Sequence, residues 1–78
     1  MKNLCVVCEY GWIIKGKLVK DDADTLALTE AAVVRRWSNG KGIGGIAKAA
    51  NLKEYTLDPI GDVEIRKNKV LFVIPCEA

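Results

Sequence analysis

The sequence predicts a mainly β chain, a small SH3-like or split β-barrel of five to six strands with one short helix. Three observations carry this expectation. Apolar residues recur at every second position in several runs, and those runs are rich in β-branched side chains, which suit a pleated surface. Turn clusters of glycine, asparagine and aspartate separate the runs. At 78 residues and 50% hydrophobic composition the chain reads as one folded domain, residues 1–78, small enough that its sheet edges must close on themselves or pair with a copy.

The first strand is read from Leu4, Val6 and Cys8, which alternate with Cys5, Val7 and Glu9. Tyr10-Gly11-Trp12 then makes a turn or kink, and Trp12 to Lys20 forms a second strand with Ile14, Gly16 and Leu18 on one face and Ile13, Lys15, Lys17 and Val19 on the other. Gly16 in mid-strand predicts a bend or a close neighbour. Asp21-Asp22-Ala23-Asp24 is an acidic hairpin turn; it lacks the glycine and distal glutamate of a calcium loop.

The stretch from Leu28 to Ala47, LTEAAVVRRWSNGKGIGGIA, is the centre of the sequence. Leu26 and Leu28 alternate with Thr25, Ala27 and Thr29; Ala31, Val33, Arg35 and Trp37 then hold the odd positions. The change of phase near Thr29 and Glu30 predicts a β-bulge or sharp bend there. A helix from Thr29 to Trp37 is the rival, with Thr29 as its cap, and Val33-Val34 tilts the choice to strand. Ser38-Asn39-Gly40 is a turn cluster. Ile43, Ile46, Ala47 and Ala50 then stand at helical spacing, so Lys41 to Asn51 predicts a short helix or helical turn, although Gly44 and Gly45 each cost about 1 kcal/mol relative to alanine.

Beyond it, Lys53 to Leu57 predicts a short strand in which Tyr55 and Leu57 share a face, broken by Asp58-Pro59 and Ile60-Gly61-Asp62. Val63 and Ile65 lead to the polar corner Arg66-Lys67-Asn68-Lys69. Val70 to Ile74 is a continuous apolar run that suits a strand covered on both sides, with Pro75 as its stop.

Composition narrows the function classes. The net charge of +2, from 12 basic and 10 acidic residues spread along the chain, argues against a nucleic-acid partner, which calls for a concentrated basic face. No run of 18 apolar residues exists and no secretory signal is present, so the expectation is a cytoplasmic protein with no membrane partner. Cys5, Cys8 and Cys76 are an odd number of thiols in a chain without histidine. On a strand, Cys5 and Cys8 point to opposite faces, and a zinc site would be one ligand short; the three read as small buried hydrophobes, with no metal and no cofactor implied. Without histidine, with no base beside Ser38 and no paired carboxylates, no acid-base or acyl-transfer constellation assembles, so the chain reads as non-enzymatic.

A binding reading centres on Arg35, Arg36, Trp37, Ser38, Gly40, Lys41 and Gly42. The arginines supply planar forks for phosphate, Trp37 a stacking face, and Gly40-Lys41-Gly42 a loop whose backbone N–H groups face an anion. GKGIGG is neither a P-loop nor a dinucleotide fingerprint. In the competing reading Trp37 plugs the core, the arginines point to solvent and the glycines only turn the chain.

The order Leu28-x-Glu30-Ala31, five residues, Trp37-Ser38, a Gly/Ala-rich loop, Ile43-x-x-Ile46-Ala47 and a terminal Ile74-Pro75-Cys76 resembles a family of small proteins of unknown function encoded by tailed phages and mobile elements. That family's central block reads approximately L-x-D-A-R-R-I-W-Y-W-S-G-A and its chains end in I-I-P-C. Its W-Y-W is Arg35-Arg36-Trp37 here. The resemblance implies an all-β fold and a phage or prophage origin, hence a host bacterial cytoplasm.

Three classes follow. The first is a phage-type accessory protein that sequesters a small anionic, nucleotide-derived ligand, such as a host immune signal. The second is a structural or assembly module whose apolar strands pair between copies into a homo-oligomer. The third is a small barrel that binds single-stranded nucleic acid, which the charge balance ranks last.

Overall fold

The computed structural model describes residues 2–78. Five strands, β1 (Asn3–Cys8), β2 (Ile13–Asp21), β3 (Thr25–Trp37), β4 (Tyr55–Arg66) and β5 (Val70–Cys76), form one antiparallel sheet in the order β4-β3-β2-β1-β5. The sheet is strongly bent into an open barrel. Its two edges, β4 and β5, are not hydrogen-bonded to each other.

The bend comes from register shifts placed where the sequence changes phase. Glu30 adopts φ 50, and the β3 to β4 pairing jumps between Leu28 and Ala31. One residue is thereby removed from the alternation, so Leu28 and Ala31 both face the interior. β3 thus runs as a strand through Trp37, and the helical rival for 29–37 is absent. Gly16 lies against this bend: a Cβ on it would stand 3.1 Å from Leu28 Cβ and 3.2 Å from Ala31 Cα, the close approach that a mid-strand glycine permits.

Both faces of β1 are covered. Leu4, Val6 and Cys8 enter a barrel core with Leu26, Leu28, Ala31 and Ile65. Cys5, on the opposite face, joins Val34, Ile46 and Tyr55 in a second core. The second core is roofed by the connection between β3 and β4, which folds as two 3-10 segments, Ile43–Ala47 and Ala49–Glu54. The predicted short helix over Lys41 to Asn51 is therefore replaced by tighter, shorter turns. Gly44 and Gly45 deprive an α-helix of propensity there, and Ile46 drops into the core as its fully buried residue.

Two further expectations are corrected. The strand predicted to end at Leu57 continues through Asp58-Pro59 and Ile60-Gly61-Asp62 as the 12-residue β4. A proline is tolerated because β4 is an edge strand and its missing N–H costs no ladder bond; Gly61, at φ 78, absorbs the local irregularity. The count among the described residues is five strands, within the five to six expected. Pro75 does not stop β5 either: it pairs with Leu4, and Cys76 with Asn3.

Candidate functional site

The residues picked out by the sequence lie at the end of β3 and in the loop after it, and most of their side chains already have internal partners. Arg35 Nη1 donates to Asp58 Oδ2 at 3.1 Å across the β3–β4 ladder. Trp37 is half-buried in the second core, its ring 5.8 Å from that of Tyr55. Lys41 Nζ donates to Glu54 Oε1 at 2.8 Å and to Asn51 Oδ1 at 3.1 Å. Asn39 Nδ2 reaches the same Glu54 oxygen at 3.0 Å, and the Lys41 N–H closes an Asx turn on Asn39 Oδ1 at 2.9 Å. Arg36 and Ser38 are exposed; Gly40 and Gly42 turn the chain at φ 74 and φ 67.

The loop is thus a pinned roof. Tyr55 Oη donates to the Gly42 carbonyl, and Asn51 Nδ2 to the Gly45 carbonyl at 2.9 Å. The Lys41 ammonium, together with Asn39, holds the Glu54 carboxyl below its usual range. Lys41 neutralises Glu54 and Arg35 neutralises Asp58, so of the three cations in the predicted cluster only Arg36 makes no ion pair among the described residues.

The cysteines divide as the strand geometry requires. Cys5 lies in the second core and Cys8 in the barrel core. Burial pushes the Cys5 thiol up to about 12, with the neighbouring Cys76 adding to the effect; burial raises Cys8 and Cys76 as well. All three thiols are free. At neutral pH they are protonated and poor nucleophiles.

Sequence reasoning missed the surface that stands out most. β5 was expected to be covered on both sides, yet it is a sheet edge on which Leu71, Phe72 and Val73 are 64%, 50% and 37% exposed. Val73 lies opposite the barrel-core residue Val6, and Phe72 opposite Val7, so apolar side chains stand on both faces of a strand whose outer backbone is unpaired. Tyr10, Trp12 and, on the other edge strand, Ile60 are also exposed. The signal was present in the sequence: an uninterrupted VLFVI run needs cover on both faces, and one chain of this size supplies only part of it. Among the described residues no helix is long and apolar enough to cross a membrane.

Comparison with solved structures finds this fold in a protein described as a heptameric archaeal Sm protein, with implications for the eukaryotic snRNP core. The two share 21% identity and a TM-score of 0.63 over 95% of this chain and 84% of the other. The mainly β, SH3-like barrel class expected from the sequence is thereby established. No family model and no curated protein matches the chain.

Proposed function

We propose that the protein is a self-assembling β module, whose copies join head to tail by pairing the free edge of β5 with the free edge of β4 and close into a ring. The carrying observation is β5 itself, an edge strand with exposed apolar side chains on both faces. Natural edge strands are normally blunted by charge, irregularity or cover, because an unpaired apolar edge templates association. β4 offers the complementary edge: 12 residues long, paired only with β3. Only a head-to-tail arrangement satisfies both kinds of edge in every copy with a single interface, and such an arrangement closes when its rotation divides a full turn. The heptameric state of the fold neighbour supports this reading.

The test is sedimentation velocity over a wide concentration range, with the Val73→Lys variant alongside. The wild type is expected as a discrete species at an integral multiple of the chain mass, and the variant as a folded monomer, since a charge on the barrel side of the edge opposes pairing. A wild type that stays monomeric at millimolar concentration overturns the proposal.

A second reading, contact with single-stranded nucleic acid, is favoured by the likeness to a protein discussed in terms of an snRNP core. It is further supported by a polar concavity in which Arg66, Lys67 and Asn68 meet Ala23 and Asp24. Asp21 is ion-paired with Lys67 there, which weakens the local positive field. Binding of labelled single-stranded oligonucleotides that falls steeply with salt would support it; binding that is absent at low salt would remove it.

A further inference from the structure

Between the β1–β2 turn and the C-terminal half of β4 lies a cleft of about 340 Å3, floored and lined by Cys8, Ile14, Val63 and Ile65 and walled by Tyr10 and Trp12. Tyr10 is 94% exposed and Trp12 59%. Tyr10 also adopts φ 62 beside Gly11 at φ 78, a left-handed pair that asparagine-glycine or glycine-glycine would fill with less strain. The single chain therefore leaves one large aromatic ring in water on a backbone that disfavours it, and buries less than half of the other.

We infer that this cleft is the seat for β5 of a second copy, with Tyr10 and Trp12 as the aromatic wall that closes over the incoming strand. The inference rests on the head-to-tail reading above and names the side chains that decide its strength. One side of the cleft is the free edge of β4 at Val63 to Arg66, whose inner edge pairs with Thr25 to Leu28. The outward N–H and C=O groups of that edge need hydrogen-bond partners as soon as the cleft is filled. A small apolar molecule would leave them unpaired, whereas an added strand pairs with them and places its alternate side chains in the apolar space. β5 fits that description: seven residues, with Val73 on one face, Phe72 on the other and Leu71 exposed at the register shift before them. Whichever row of β5 turns toward the β1–β2 turn, Tyr10 and Trp12 meet an apolar surface. Lys69 pairs with Glu9 at 3.6 Å at the rim; Glu64 and Arg66, on the β4 side of the cleft, make no ion pair among the described residues.

Two measurements test this. In a Trp37→Phe background Trp12 is the sole tryptophan, because the chain has two. Its emission is expected to move to shorter wavelength, and its access to acrylamide to fall, as concentration rises through the assembly midpoint. In the native background the Tyr10→Ala, Trp12→Ala double variant is expected to keep its circular dichroism spectrum and to raise the midpoint concentration by about tenfold or more, as loss of central aromatic anchors does. If the double variant assembles at the wild-type midpoint, or if Trp12 emission is unchanged on assembly while Val73→Lys still yields monomers, the cleft inference is overturned and the edge-pairing proposal survives. If the wild type never assembles, both fall.

Discussion

The two faces of β1 bury two cores that are built by different means. The barrel core is assembled by strands alone: Leu4, Val6, Leu26, Leu28 and Ile65 interlock from alternating positions. The second core is half sheet and half roof, where Ile46, Ile43 and Leu52 are brought down on Cys5, Val34 and Tyr55 by a connection that lacks α-helix. The sheet supplies the barrel core with its own hydrogen-bonded frame. The roof has no such frame, so polar side chains replace it: Tyr55 on Gly42, Asn51 on Gly45, and Lys41 with Asn39 on Glu54. Apolar packing between strands is insensitive to pH, whereas a roof tied by an ion pair and a few side-chain hydrogen bonds opens at lower free energy than the sheet beneath it.

That contrast can be tested by weakening each core in turn. The largest loss is expected from Leu28→Ala, at the bend of β3 and 1% exposed, which should cost about 2–5 kcal/mol in denaturant unfolding because the cavity lies between rigid strands. Gly45→Ala comes next. Its Cβ would stand 2.6 Å from Tyr55 Oη and 2.7 Å from Lys41 Cβ, so the roof must shift, at about 1–3 kcal/mol. Hydrogen exchange should show the change concentrated in residues 41–54; an equal rise across β1 and β2 would mean that the two cores are one cooperative unit. Tyr55→Phe removes the hydroxyl that holds Gly42 while leaving the ring against Trp37. A loss of about 1 kcal/mol is expected, again read in the roof.

The smallest effect is acid sensitivity through Glu54. Its folded pKa is depressed by Lys41 and Asn39, so its contribution is present above the ordinary carboxylate value of about 4.3 and is lost as pH falls through the folded value. In Glu54→Gln the exchange of residues 41–54 should lose that component of its acid dependence. A roof equally acid-labile in the variant would assign the effect to other carboxylates.

Legibility in the sequence followed the same division. The barrel core was readable because period-two alternation maps directly onto the faces of a sheet: Ile14 and Leu18 on one face, Cys5 and Cys8 on opposite sides, and the phase change at Thr29-Glu30 as a bulge all follow from spacing alone. The roof was read as helical from Ile43, Ile46 and Ala47, and its 3-10 form depends on contacts with Tyr55 and Asn51 that no local pattern announces. Pro59 and Gly61 look like breaks in the sequence because the edge position of β4, which makes them tolerable, is a property of topology. At the candidate binding cluster, residue types suggested an anion site, whereas Asp58 and Glu54 reach Arg35 and Lys41 across the fold. The exposed β5 was missed for the converse reason: its apolar run was legible, but its place at the sheet margin was not.

Cys5 and Cys8 stand three positions apart in the sequence and on opposite sides of the sheet, one beneath the roof and one inside the barrel. Each thiol is therefore a built-in clock for a different opening event. Alkylation followed by mass spectrometry would time both in the unaltered protein, and the ratio of the two rates would measure how far the roof lifts without the barrel.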